Sequence, residues 1–167
     1  MYVNGFFPTE NVPTIFENYS FEIRRNNTEY NFQLWDTAGQ EDIGSLRTLS
    51  YPNTNVFMIC FSVVSPVTFD NILGKWVDEL REHGPKNANF LLVGLKADLR
   101  DDKDTLENLS SQGLTPVTPE KARELAQKIG AVGYIECSAI KCQNVKETFD
   151  TAIQIAINPP KEGGVAT

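Results

Sequence analysis

The chain has 167 residues, of which 41% are hydrophobic, so it can form one domain with a buried core without disulfides or metal ions. Its net charge of −7 and its pI of about 4.7, without a basic cluster, argue against binding nucleic acid or an anionic membrane through its own charge. The odd set of Cys60, Cys137 and Cys142 has no Cys-x-x-Cys spacing, which predicts core thiols in a reducing compartment.

The first predicted elements are strands. Residues 20–25 and 30–36 alternate apolar with polar side chains on either side of Asn-Asn-Thr-Glu, which predicts a β-hairpin with one buried face. Residues 55–61 are apolar almost throughout, which is typical of a strand covered on both faces. Residues 89–94 repeat this pattern, and residues 133–137 give a shorter strand.

Helices alternate with these strands. Ser65-Pro66 supplies a cap and a first-turn proline for a helix whose apolar positions continue to Leu80. Thr118-Pro119 opens a second helix, which Gly130 ends. Between them, the polar residues 99–117 predict a surface excursion with one short helix.

The third helix is predicted from Asn144 and Glu147, which resemble a capping box, to a stop at Pro159. His83, the single histidine, is predicted to end a helix. Three large aromatic residues are predicted to lie in the core: Trp35, Trp76 and Phe149.

This order predicts an α/β fold with an open, mostly parallel sheet and helices on both faces. Ligands of such sheets bind beyond the carboxyl ends of the strands. Polar clusters follow three strands, at residues 36–41, 94–98 and 136–139. We therefore expect these clusters on one rim of the sheet, where a nucleotide could lie.

The clusters also carry a family resemblance. Residues 36–41, Asp-Thr-Ala-Gly-Gln-Glu, resemble a signature of Ras-superfamily GTPases, and residues 12–19, Val-Pro-Thr-Ile-Phe-Glu-Asn-Tyr, resemble the switch I effector region of the Rho branch. Residues 49–52 and 60–66 are similar to the same branch, and residues 99–117 occupy the place of its insert. The chain thus resembles a Rho/Rac-type small GTPase, with a G domain over residues 1–158 and a short flexible tail over 159–167.

The resemblance implies a Mg²⁺ and phosphate end of a GTP/GDP site. Asp36 would hold Mg²⁺ through its water shell, and Thr14 would give the ion a hydroxyl and sense the γ-phosphate. Gly39 would present its backbone N–H to the γ-phosphate. Gln40 would be the catalytic residue that orients the attacking water.

The resemblance also implies residues that bind the guanine, at what we call the base end of the site. Phe7 would stack on the guanine, the aliphatic stem of Lys96 would cover the ring, and Asp98 would accept hydrogen bonds from N1 and N2. The Ala139 N–H would meet O6, and Ser138 would brace the loop. Taken singly, Asp98 is better explained as a turn former and Lys96 as a solvated charge; the order of the motifs along the chain favours the site.

Several positions depart from the family pattern. The family's first strand and its Gly-x-x-x-x-Gly-Lys-Ser/Thr loop should precede residue 2, and no such motif occurs in the sequence. We expect an incomplete copy of a GTPase, the alternative being a relative without this loop. Leu95 stands where Asn or Thr is usual, and Asn11 replaces a Tyr. Residues 43–45 and Thr48 also differ, so preferences for particular regulators are not implied.

The implied function is a monomeric, GTP-hydrolysing switch in signalling to the actin cytoskeleton. Its partners would be effectors at residues 12–19, and exchange factors and GAPs at the switch regions, with no nucleic acid. One alternative is a non-hydrolysing interaction protein that retains the effector surface; a second is an unrelated flavodoxin-type binding module. Without a leader, a spanning apolar run or a prenylation motif, we expect a cytoplasmic chain, membrane-associated only in a form with a lipidated tail.

Overall fold

The hairpin is the first element of the protein, for which a computed structural model describes residues 16–37, 39 and 44–160. Strands β1 (Phe16–Arg25) and β2 (Thr28–Thr37) pair antiparallel, as predicted. Asn26 and Asn27 form the turn with φ of 49° and 63°. The turn needs two residues rather than the predicted four because two left-handed residues already match the twist of a hairpin, so β2 begins at Thr28; β1 begins earlier than predicted because Phe16 pairs with Thr37.

A separate sheet contains three parallel strands in the order β3-β4-β5. They span Val56–Ser62, Asn89–Leu95 and Gly133–Glu136. The predicted parallel sheet is therefore confirmed, and the carboxyl ends of its strands share one rim. Within the described ranges no ladder joins β2 to β3, so the hairpin is a sheet of its own.

Helices cover both faces of the parallel sheet, as predicted. The bounds are α1 Gly44–Thr48, α2 Pro66–Asn71, a π-helical segment Ile72–Val77, α3 Asp78–His83, α4 Lys103–Ser111, α5 Pro119–Ile129 and α6 Val145–Ile157. On one face, Phe61 and Leu92 pack with Ile72 and Ala122. On the other, Leu91 and Val93 pack with Ile155 of α6. No helix within the described residues is long and apolar enough to cross a membrane.

The observed helix ends can be compared with the caps predicted from the sequence. Thr118 caps α5 by accepting a hydrogen bond from the Lys121 N–H, and Gly130 ends the helix with φ of 74°. The excursion at 99–117 contains α4, capped by Asp102. The predicted capping box at α6 is wrong: Asn144 has φ of 55°, and its amide donates to the Glu136 carbonyl at 3.0 Å instead. The Asn144 side chain therefore bonds a carbonyl outside the helix and is not available to cap the first N–H groups of α6.

Several core predictions need correction. Trp35 is 39% exposed and not a core residue, while Trp76 and Phe149 are half-buried. Of the three thiols only Cys137 is buried. Cys60 and the half-buried side chains of β3 border a groove beside the hairpin, so β3 is not covered on both faces. His83 ends α3, as predicted.

Candidate nucleotide-binding site

The base end of the candidate site begins where β4 ends. Lys96 adopts a left-handed backbone conformation (φ 60°, ψ 38°) and turns the chain into a short 3₁₀ helix, Ala97–Leu99. The Leu99 N–H donates to the Lys96 carbonyl at 3.0 Å. Lys96 is exposed and Asp98 is half-buried. A long aliphatic stem and a carboxylate thus lie two residues apart on one tight turn.

The loop after β5 is hydrogen-bonded to this turn. The Cys137 N–H donates to the Gly94 carbonyl at 2.8 Å, and the Ala97 N–H donates to the Cys137 carbonyl at 3.1 Å. These bonds bring the 96–98 turn beside the loop that contains Ser138 and Ala139. Four of the predicted base-binding residues therefore lie on two adjoining loops; their contacts with a nucleotide stay predictions.

Ser138 closes the second loop. Its side chain is fully buried, and its backbone exchanges hydrogen bonds with Gln143 at 3.0 and 2.9 Å. Its hydroxyl accepts from the Lys141 N–H at 3.2 Å. Ala139, the next residue, is exposed. The hydrogen bonds of Ser138 thus stabilise the loop, while Ala139, which is predicted to meet the guanine O6, stays accessible.

The phosphate end borders the groove between the hairpin and β3. This groove has a volume of about 750 Å³, and its walls include Asp36, Gly39, Cys60 and Trp76. Although Cys60 is exposed to the groove, the protein atoms around its thiol desolvate it and raise its pKa to about 12, and the neighbouring Cys137 and Asp36 add to the shift. Asp36 and Cys60 border the same groove, so the carboxyl end of β2 lies toward that of β3.

Asp36 carries a charge that its surroundings disfavour. Although the Asp36 side chain is exposed, the protein atoms around it partly desolvate the carboxyl and raise its pKa above the ordinary value, and the charge of Glu17, its partner across the hairpin, raises it further. A cation would reverse both effects. Mg²⁺ usually binds through one or two carboxylates together with water and substrate phosphate oxygens, so Asp36 fits a water-mediated Mg²⁺ ligand. The described residues contain no cluster of three His, Cys, Asp or Glu side chains that could hold a metal.

Three predicted site residues lie outside the described residues. These are Phe7, Thr14 and Gln40. Asn11 and the first half of the predicted effector segment 12–19, residues 12–15, lie there as well. Their proposed contacts with guanine, Mg²⁺ and water stay predictions.

A charged cluster beside the base loops was missed by the sequence analysis. Both terminal nitrogens of Arg100 donate to the Glu136 carboxylate, with 2.6 Å between Nη2 and Oε1. The Tyr134 hydroxyl donates to the same carboxylate at 2.5 Å. Burial alone would raise the pKa of Glu136, but the hydrogen bonds from Arg100 and Tyr134 outweigh it and hold the pKa below its ordinary value. Arg100 and Glu136 are 36 positions apart, so no local pattern predicts their contact.

A second such cluster anchors α1, the helix that follows residues 36–41. Arg47 is only 5% exposed, and its guanidinium donates to Glu79 at 2.9 and 2.7 Å. The Tyr51 hydroxyl donates to the same carboxylate at 2.5 Å. The guanidinium also lies 4.9 Å from the ring centroid of Trp76. These contacts fix α1 against the helical segment at residues 66–83.

A comparison with protein-family models agrees with this geometry. The model described as the Ras family matches residues 1–158, which is most of the chain. Members of this family act as molecular switches, and they interact in general with regulators and effectors. The three-stranded parallel sheet, the helices on both of its faces and the two base loops are consistent with such a domain. The chain therefore belongs to the Ras family, the small GTPases that bind GTP and GDP together with Mg²⁺.

Proposed function

We propose that this chain is a Rho-type guanine-nucleotide switch. In the GTP-bound state it recruits effectors through residues 12–19, and slow hydrolysis assisted by Gln40 returns it to the inactive state. The further assignment to signalling toward the actin cytoskeleton rests on the Rho resemblance alone.

The observation that carries guanine binding is the junction of the two base loops. The hydrogen bond from the Ala97 N–H to the Cys137 carbonyl places Asp98 and Lys96 beside the exposed Ala139. Guanine offers donors at N1 and N2 and an acceptor at O6. A carboxylate and a backbone N–H match that pattern, whereas adenine has an amino group where guanine has O6.

The Rho branch is supported by the segment after the base motif. Asp102 caps α4 only four residues after Asp98, and by the resemblance the segment 99–117 that contains this helix would correspond to the insert of the Rho branch. The sequences at residues 12–19, 49–52 and 60–66 point to the same branch.

In the proposed reaction the chain positions groups and stabilises charge. Asp36 and Thr14 would hold Mg²⁺, which neutralises phosphate charge when it is bound. Gly39 would donate its N–H to the γ-phosphate, and Gln40 would orient the water in line with the leaving group. Thr14 would release on hydrolysis, so that residues 12–19 report which nucleotide is bound.

Asp98→Asn tests the base assignment directly. The new amide presents a donor where guanine also has a donor, so the affinity for GDP should fall by about 100-fold or more. The same amide can donate to the 2-oxo group of xanthine, so the variant should bind xanthosine diphosphate better than GDP. Competition against a fluorescent nucleotide with Mg²⁺ measures both affinities. Unchanged GDP affinity in Asp98→Asn would contradict the role of Asp98.

A non-hydrolysing interaction protein is the second candidate. No Gly-x-x-x-x-Gly-Lys-Ser/Thr sequence occurs in the 167 residues, and Asp36 and Gly39 border an open groove. The discriminating test compares this chain with one that is extended by a family-like first strand and phosphate loop. A folded chain that binds neither GDP nor GTP, yet captures Rho effectors, would establish this candidate. Hydrolysis of GTP by the unextended chain would eliminate it.

A further inference from the structure

We infer that Arg100 is a positioning residue for the base end of the nucleotide site. Through Glu136 it fixes the spacing between the turn that contains Lys96 and Asp98 and the loop that contains Ser138 and Ala139. The inference deepens the proposed function and rests on it wherever guanine recognition is concerned.

The position of the ion pair is the first argument. Arg100 follows Asp98 by two residues, and Glu136 precedes Ser138 by two residues. Both terminal nitrogens of the guanidinium contact the carboxylate, with 2.6 Å between Nη2 and Oε1. A two-point contact of this kind restricts orientation as well as distance. The backbone bond from Ala97 to Cys137 joins the loops at their bases, and the ion pair adds a second, side-chain tie.

Both partners of the ion pair are held by further contacts. Arg100 Nη2 also donates to the Val117 carbonyl at 3.2 Å, and the Val117 N–H donates to the Val63 carbonyl at 2.8 Å. On the other side, Tyr134 donates to Glu136, and its ring stacks on Phe61 with centroids 6.1 Å apart. Both residues of the ion pair are therefore fixed to the core. The pair can hold the two loops at a set distance from each other and does not simply move with them.

The energetics favour a geometric role over a purely stabilising one. Arg100 and Glu136 are 21% and 19% exposed, so both charges are largely removed from water. The Arg100 Nε is buried, and within the described residues it has no hydrogen-bond partner. Desolvation and this unsatisfied donor offset much of the attraction, and pairs of this kind contribute little net stability against an apolar replacement. Unlike apolar packing, such a pair sets a defined distance between the two loops.

The first test uses nucleotide discrimination. GDP and inosine diphosphate differ by the 2-amino group that Asp98 would bind, so the ratio of their affinities reports how well Asp98 is placed. We expect Arg100→Gln to weaken GDP binding by about tenfold and to reduce the ratio, with Arg100→Lys intermediate because lysine keeps the charge without the fork.

Two controls separate positioning from charge and stability. Arg81→Gln removes the same charge from the exposed surface of α3 and should leave the ratio unchanged. Ile153→Val lowers stability through a buried position of α6 and should also leave the ratio unchanged. A ratio that falls as much in Ile153→Val as in Arg100→Gln would overturn the inference.

The second test needs no nucleotide. Amide hydrogen exchange of the unliganded chain should show faster exchange, by about tenfold, at Ala97 and Gln143 in Arg100→Gln, with Leu92 in the middle of β4 unchanged. Unchanged exchange at Ala97 and Gln143 would overturn the inference even if GDP binds. If the unaltered chain binds no GDP, the proposed function fails, and the exchange result then decides whether Arg100 fixes the two loops.

Discussion

The ionised carboxyl of Asp36 is unfavourable in the unliganded protein, as is expected of a residue whose role is to bind a cation. Partial desolvation and the charge of Glu17 raise the pKa of this exposed carboxyl, so its ionised form is slightly disfavoured in the folded state. A residue of this kind destabilises the fold when it is charged and is relieved by a cation.

Asp36→Asn should therefore stabilise the unliganded protein while it weakens Mg²⁺-dependent nucleotide binding. At pH 7 we expect the melting temperature to rise by about 1 °C or less, because the charge is exposed and screened by solvent. A raised folded-state pKa means that the penalty is complete above that pKa and absent below the unfolded value near 3.8, so the gain should disappear in acid. Thermal unfolding from pH 3 to 8 without Mg²⁺ measures it.

Glu22→Gln is the matched control for Asp36→Asn, because both are exposed carboxylates on the same hairpin but Glu22 pairs with Asn31, whereas Asp36 pairs with Glu17. Its melting temperature should change by less than that of Asp36→Asn at pH 7. A lower melting temperature for Asp36→Asn at pH 7 would contradict the account of the Asp36 charge.

Gly94 allows the close approach of β5 to the end of β4. A Cβ at this position would lie 2.8 Å from the Tyr134 hydroxyl, 3.0 Å from the Val63 side chain and 3.2 Å from the Glu136 side chain. Gly94→Ala should therefore lower the free energy of unfolding by about 1–3 kcal/mol, measured by urea denaturation. Because the closest of these contacts is with the Tyr134 hydroxyl, removing that hydroxyl should relieve part of the strain.

Tyr134→Phe removes the nearest of these atoms. In a double-mutant cycle, Gly94→Ala should cost less in the Tyr134→Phe background than in the unaltered chain. Equal costs in the two backgrounds would show that the Tyr134 hydroxyl is not the source of the strain.

At the scale of elements, α1 depends on one buried side chain for its place. Arg47 contacts Glu79 and Trp76, and the helix has only five residues, too few to be stable alone. Arg47→Ala should lower the free energy of unfolding by about 2–4 kcal/mol, because it leaves Glu79 without its cation. Urea denaturation at pH 7 measures this loss.

The pH dependence of this loss is a further check. The hydrogen bond from Arg47 is the main cause that lowers the pKa of Glu79, so the stabilisation is complete above the unfolded value of 4.5 and is lost as pH falls through the lower folded value. Arg81→Ala, on the exposed surface of α3, should cost much less. A loss for Arg47→Ala as small as for Arg81→Ala would contradict the anchoring of α1.

Most element positions could be predicted because their determinants are local. Thr118 and Gly130 mark the two ends of α5, and alternation identifies the hairpin. Asn144 was misjudged because its hydrogen bond to Glu136 is a tertiary contact that the Asn-x-x-Glu pattern does not contain. Trp35 and Cys60 were misjudged because hydrophobicity does not reveal that the neighbouring sheet surface is open.

At the scale of the whole molecule, the topology of the sheet assembles the site. Because β4 and β5 are parallel neighbours, the loops after them meet, which is why Asp98 and Ser138 could be placed together from the sequence. The contacts of Arg100 with Glu136 and of Arg47 with Glu79 could not be predicted in this way. Each joins residues more than 30 positions apart, and only the folded chain brings them together.

The central claim is that this chain is a guanine-nucleotide switch, and equilibrium binding of fluorescent GDP with Mg²⁺ tests it most directly. We predict saturable binding that GTP displaces and ATP does not, because Asp98 accepts from donors that adenine does not present in that pattern. A folded chain that binds no guanine nucleotide, or that binds ATP equally well, would contradict it.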